Sequence, residues 1–379
     1  GGGSGGRFSV HCNKTEFSGT ISAQGGTSSV ESGGPGTIYR KTGTGSKTLR
    51  SLEINNGGLM PLFSYLVSKN QYDNSGKAWV LVQSVDDLMY DEMRLLGGAH
   101  ASFVLGVKGN VSINEFFGDN TGMLHVQADD RVVIKSALAE FPSWFRIYER
   151  GYLSLPEVVH LNKFSYTQLF IEGKIGYIKD FRIGTGVTVS LGNKASSYGL
   201  SDNSFRFGSL TVMPNAQLDF YKPVSLTQSL KLNISDKFHI FPGGMVSSQS
   251  INVHARNITV EVAGSIETKT SGFTEGSGKG NGGAGHGGSG GYGTVKFDRP
   301  GTVYGDFRSP TQYGSSGVNN GAPGGGAVKL YAKEITTIDG SIIATGGDSP
   351  RTGVGASSGG SIWIQSRIFS GRGTIKVNG

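Results

Sequence analysis

The sequence predicts an all-β protein: an elongated parallel β-helix, or solenoid, with glycine-rich loop insertions and one short helix near residues 85–96. Three observations predict it. Apolar residues alternate two apart in short runs through most of the chain, the period of a strand with one buried face. Related runs return about every twenty residues through the middle of the chain. Towards both ends, a longer unit flanked by glycine is written several times.

The middle runs are SLTVMPNAQLDF (209–220), SLKLNISDKFHI (229–240) and SINVHARNITVEV (250–262). Their spacing aligns Leu210 and Val212 with Leu230 and Leu232, and these with Ile251 and Val253. Leu218 and Phe220 likewise align with Phe238 and Ile240, then with Ile258 and Val260. Upstream, TQLFIEGKIGYI (167–178) and FRIGTGVTVSL (181–191) keep the alternation. Only VDDLMYDEMRLL (85–96) has a helical period, and there a short helix is expected as a cap or lateral excursion.

The end units are GGGSGGRFSVHCNKTEFSGTISAQGG (1–26), GGGAVKLYAKEITTIDGSIIATGG (324–347) and GGSIWIQSRIFSGRGTIKVNG (359–379). Phe8, Val10 and Cys12 fall on Val328, Leu330 and Ala332, and then on Ile362, Ile364 and Ser366. A second run follows in each: Phe17, Gly19, Ile21 and Ala23, matched by Ile338, Gly340, Ile342 and Ala344. Each unit reads as two strands joined by a tight turn. A single unit cannot bury its apolar face, so it requires neighbours stacked about 4.8 Å away on either side. The glycine-rich stretches 24–36, 272–293 and 314–326 read as loops inserted between strands. PGTIY (35–39) and PGTVY (300–304) read as strands re-entering the stack. Cys12 occupies a slot for small inward residues, not that of a nucleophile.

These observations divide the chain into glycine-rich coils (1–56), an irregular β-rich insertion or variant coils (57–150), coils of about twenty residues (151–270) and glycine-rich coils (271–379). The last set is expected to continue into a following module.

Composition narrows the class. The 379 residues include 63 glycines, 11 prolines and one cysteine, with a formal charge of +7. No Gly-X-Y period exists, which excludes collagen. One cysteine excludes an internal disulfide framework. No run of eighteen apolar residues predicts a membrane span. The basic residues are dispersed, so no nucleic-acid arm is read; an acidic glycan is the charge-compatible partner. The sequence opens without methionine and stops in mid-pattern, which reads as a mature piece or a segment of something longer.

The motifs GGGSGG, GTISAQGG, GAGHGGSGG, SSGGSIWI and the 324–347 unit resemble the very large glycine-rich extracellular or cell-surface proteins of diverse eukaryotes, with bacterial counterparts. Their repeats have the form GGGSGG-strand-GxIxAxGG. The resemblance covers 1–56 and 250–379 best. It implies a surface or matrix protein of parallel β-helical type and carries over no established catalytic residues.

A search for chemistry finds little. A β-helical polysaccharide lyase or epimerase is the rival class, and it needs converging carboxylates with an Arg or Lys base. ADDR (128–131) and VDD (85–87) are its nearest candidates, yet Asp129, Asp130 and Arg131 alternate faces and read more simply as a polar turn. None of the seven histidines has metal-ligand spacing. His286, in GAGHGGSGG, reads as a loop-surface residue. No catalytic residue, cofactor or metal site is assigned. Asn13, Asn110, Asn233 and Asn257 head N-x-S/T triplets and become glycosylation candidates if the chain is exported. The expected role is therefore structural and extracellular: a module or subunit of a stiff fibre, hair, sheath or adhesive coat. Its partners are copies of itself or adjoining modules of the same chain. A polysaccharide lyase or epimerase and a monomeric glycan-binding adhesin are the alternatives.

Overall fold

The computed structural model describes residues 1–29, 32–59, 79–84, 88–105, 110–136, 144–148, 150–161, 168–191, 204–220, 229–268, 278, 283–292, 299–317, 322–348 and 355–379. Among them are 27 strands and one 3-10 turn, Gly45–Lys47. The protein is nearly all β, and its sheets are built of parallel pairs, with Thr37–Thr42 and Leu49–Asn55 paired antiparallel. Two compact units share the chain: Gly1–Ile178 with Ser190–Asp202, and Lys179–Val189 with Asn203–Gly379.

In the first unit, successive strands from Leu49 to Ser154 alternate between two sheets, and Val158–Leu161 opens a third. One sheet pairs Leu49–Asn55, Leu88–Leu96, Asn110–Gly118, Arg131–Ile134, Tyr152–Ser154 and Lys174–Ile175 in parallel. The other pairs Trp79–Ser84, His100–Leu105, Met123–Val126, Trp144–Ile147 and Gln168–Ile171. Ala101, Leu124, Phe145 and Leu169 are thus aligned neighbours and lie fully buried. Ahead of the first sheet, Arg7–Cys12 pairs in parallel with Thr37–Thr42, which meets Leu49–Asn55 antiparallel.

The second unit repeats the arrangement with longer strands. Ser204–Val212 is joined by both Leu230–Ile234 and Lys237–Ile240, and both of these by the single strand Ser250–Val260. Ala327–Ile338 and Ser361–Ser370 follow in order. The companion sheet runs Gln217–Phe220, Met245–Ser247, Ser265–Glu267, Ser341–Ile343, Thr374–Lys376. Its ladder Leu218, Val246, Ile266 and Ile342 is at most 1% exposed. Each such side chain contributes roughly 1.5–3 kcal/mol by leaving water.

The long strands turn a corner inside their length. In Ser250–Val260 the buried apolar residues are Ile251, Val253 and Ala255, then Ile258 and Val260, so the buried parity changes where the register shifts between Ala255 and Asn257. A bulge of this kind bends a strand and re-aims its side chains. Phe207 to Leu210 shows the same change, whereas Ala327–Ile338 passes its own register shift over four residues, Ala332 to Thr336, and keeps its parity.

Several expectations are corrected here. Leu88–Leu96 is a strand and not part of a helix. Tyr90, Met93 and Leu95 are buried across the same corner, and one parity change inside a strand imitates a helical period; residues 85–87 lie outside the described residues. The segment Phe17–Ala23 is not a strand, so the first end unit supplies only Arg7–Cys12. PGTVY is not a strand either, whereas PGTIY enters one at Thr37. Leu210 and Val212 pair with Phe238 and Ile240, not with Leu230 and Leu232. Two similar apolar pairs stand eight residues apart in 229–240, and the spacing alone selected the wrong one. The pairings of Leu230 with Ile251, Phe238 with Ile258 and Val328 with Ile362 agree with the sequence alignment.

Candidate functional site

Glycine organises the first candidate surface. Three segments at 1–6, 23–26 and 33–36 bond to one another through their backbones: Gly26 N–H donates to Gly3 O (2.7 Å), Gly33 to Gly26 O (2.9 Å), Gly36 to Ala23 O (2.6 Å) and Gly5 to Gly34 O (2.9 Å). Partners recur three residues apart, at 3 and 6, 23 and 26, 33 and 36. Three residues per turn is the repeat of polyproline II, a chain without internal hydrogen bonds whose amides and carbonyls point sideways. Bundled side by side, such segments satisfy one another, but only where no side chain separates them. A Cβ on Gly5 would overlap the Ala23 carbonyl, and one on Gly36 would overlap that of Gly6. The stretch 24–36 is therefore packed structure in its described residues, not a loose insertion.

A second bundle belongs to the second unit. Gly314 N–H donates to Gly325 O (2.8 Å), Gly325 to Ser358 O (3.0 Å), Ser358 to Ser315 O (2.9 Å), Gly360 to Ala344 O (2.8 Å) and Gly346 to Asn378 O (2.9 Å). Ser315 and Ser316 are completely buried in it. Beside this bundle opens a cleft of about 780 Å³, walled by His286–Ser289, Val303–Phe307, Pro310–Gln312, Ala356–Ile362, Val377 and Gly379. His286 is 9% exposed, packs its ring 4.6 Å from Tyr304 and bonds through Nδ1 to Gly359 O at 2.8 Å. It thus ties two segments together and is not the surface residue expected from its glycine context. The Tyr304 hydroxyl lies 2.8 Å from Ser315 Oγ, and burial raises its pKa. Asp306 is held low by the backbone N–H of Arg308 and the Ser309 hydroxyl. Phe307 stands 85% exposed at the rim.

Sheet edges form the second candidate surface. Among the described residues Arg7–Cys12 ends one sheet, Ser361–Ser370 another and Thr374–Lys376 a third. Residues that continue buried ladders become exposed there: Phe8 by 39%, Phe369 by 57%, Ile375 by 43%. Such an edge is a template for another strand.

A polar row in the first unit went unnoticed in the sequence. On the face opposite Ala101, Leu124 and Phe145 lie His100, Ser102, His125 and Arg146, each at most 5% exposed. His100 Nδ1 is 3.1 Å from His125 Nε2, and His125 Nδ1 is 3.2 Å from the Tyr148 hydroxyl. Arg146 pairs with Glu172 and lies 4.7 Å from the Tyr148 ring, while Gln127 donates to Ser102 Oγ at 3.0 Å. The available signal was HAS, HVQ and RIY, polar residues alternating with core residues on neighbouring strands.

The sequence-selected residues are dispersed. Asp129 is exposed with φ 67° and pairs with Arg150 at 3.1 Å, Asp130 is buried, and Arg131 stacks 4.6 Å over Tyr152. Asp129 and Asp130 belong to a turn that leads into the strand beginning at Arg131, and the three do not converge on one point; VDD (85–87) lies outside the described residues. Asn13 is exposed; Asn110, Asn233 and Asn257 are half-buried in strands, and Asn233 donates to Ser204 Oγ at 2.7 Å. Cys12 is half-buried. Among the described residues no helix is long and apolar enough to cross a membrane, and no His/Cys/Asp/Glu group of three or more is placed to hold a metal. Comparison with protein-family models, curated proteins and solved structures finds no match.

Proposed function

We propose that the alternating parallel sheets wind as a β-helix and that the chain is a structural extracellular protein, a module or subunit of a stiff fibre, sheath or adhesive coat assembling head to tail. Repeated parallel ladders give mechanical continuity, and the glycine bundles bind backbone to backbone beside them. One observation carries the reading: the strand ladders end in apolar edges, Phe8 on one and Ile368, Phe369 and Ile375 on others, which an isolated molecule leaves in water. Electron microscopy of the purified chain at rising concentration tests it. Filaments with a 4.8 Å meridional repeat support the reading; dispersed single particles at high concentration oppose it.

The row of His100, His125, Arg146, Tyr148 and Glu172 brings acid–base side chains together, and a polysaccharide lyase or epimerase acting at its less buried Tyr148–Glu172 end is the second reading. Incubation with alginate- or pectin-like polymers tests that alternative; new unsaturated ends or epimerised residues would support it.

A further inference from the structure

We infer that the edge strand Ser361–Ser370, with the glycine segment before it, is the docking seat for residues 1–12 of a second copy of this chain. The inference rests on the head-to-tail reading and supplies its contact residue by residue.

The molecule contains three examples of the seat. Ala327–Ile338 lies on Ser250–Val260, Ser361–Ser370 on Ala327–Ile338, and Thr37–Thr42 on Arg7–Cys12, all parallel. In each, the first N–H of the later strand donates to the carbonyl of the residue preceding the earlier one: Ala327 to Gln249 O, Ser361 to Gly326 O, Thr37 to Gly6 O. In each, the residue before the later strand is glycine, and its missing Cβ points into that same carbonyl. Gly326 faces Gln249 O, Gly360 faces Gly326 O, and Gly36 faces Gly6 O. A side chain at any of these positions would displace the layer beneath.

Gly6 precedes Arg7 as Gly36 precedes Thr37, so the rule demands that Gly6 also face a carbonyl. In the single molecule it faces nothing among the described residues: none of their atoms lies within 4 Å of its Cβ position, and the same holds for Gly3. Neither has a left-handed φ. The fold of one copy therefore gives no reason for glycine at 3 or 6. Ser361–Ser370 has the complementary deficit, with no strand beyond it among the described residues and with Gly360 before it. Seating Gly6 on Gly360 sets Phe8 on Ile362, Val10 on Ile364 and Cys12 on Ser366. That continues the column in which the third position is small, as in Ala255, Ala332 and Ser366. The segment 1–6 then runs beside Ala356–Gly360, a wall of the 780 Å³ cleft, and Ser4 falls on Ser358. The contact is heterologous, so copies add head to tail until the rotation closes a ring or leaves an open filament. Its main-chain component is strand addition at an exposed edge.

Sedimentation velocity across a concentration series, for wild type, Gly6→Val and Gly3→Val, provides the test. Both substitutions enter open space, so thermal midpoints should match wild type while the dissociation constant rises about tenfold or more. A second readout does not depend on those variants: His11→Cys with Gln365→Cys, in a Cys12→Ser background, places two outward thiols on facing positions. A short bis-maleimide should link copies of that chain and should not link His11→Cys with Lys376→Cys, which lies on a different sheet. If wild type forms filaments but Gly6→Val and Gly3→Val form them equally and the facing pair fails to link, this seat is wrong and the fibre reading survives through other contacts. If wild type remains monomeric at every concentration, both fall.

Discussion

Two regions of the second unit hold chain segments together by opposite means. Along Leu218, Val246, Ile266 and Ile342, neighbouring strands are joined by side-chain volume, each residue filling its place in a dry column. Around Gly314, Gly325, Ala344 and Gly360, the segments are joined because side chains are missing and carbonyls sit where a Cβ would go. In the first region removing atoms destabilises; in the second, adding them does. The hydrophobic effect governs one, whereas hydrogen-bond geometry and close approach govern the other.

The largest effect expected from this contrast is at Gly325, whose Cβ would fall on Ala344 O and Gly360 N–H, both backbone atoms that cannot swing aside. Gly325→Val should cost about 4 kcal/mol, at the severe end for one substitution, measured by urea unfolding. Ile266→Ala, a deletion in the filled column, should cost about 3 kcal/mol through lost burial and the cavity it leaves. If Gly325→Val is neutral while Ile266→Ala is costly, the packed-glycine half of the comparison breaks.

A third prediction uses the filled column of the first unit. Burial first, and then the neighbouring Tyr39, raise the Tyr90 phenol from its ordinary value near 10 to about 12. The proton is held more tightly in the folded state, so this contribution is complete below pH 10 and is lost as pH rises from 10 to about 12. Alkaline unfolding should show a decline of about 2 kcal/mol over that window, by linkage. Tyr90→Phe should flatten it. An identical alkaline profile in the variant would contradict the assignment.

How much of this was legible beforehand depended on the kind of contact. Where side chains alternate and the returns are short, the text carried the pairing, as for Leu232 with Val253 and Phe238 with Ile258. It misled at Leu210, because a longer return places Phe238 where Leu230 was expected. Corners were hidden as well. A bent strand changes parity, which made Leu88–Leu96 look helical. The glycine bundles were the least legible, since a run such as GGGSGG contains no alternation and is indistinguishable from a flexible linker by composition. What separates the two is backbone hydrogen bonding between segments far apart in sequence, such as Gly314, Gly325 and Ser358. The histidine row was partly readable from the matching spacing of Ser102, His125 and Arg146, although its buried contacts depend on packing.

The central claim, that the glycine-rich segments are hydrogen-bonded structure, meets its most direct test in amide hydrogen exchange resolved at single residues. Gly33, Gly36, Gly325 and Gly360 should be protected to a degree comparable with Ile251 and Val253, which lie in a strand of the second unit. Exchange of those four glycine amides at the rate of an unfolded peptide, with the strands still protected, would contradict it.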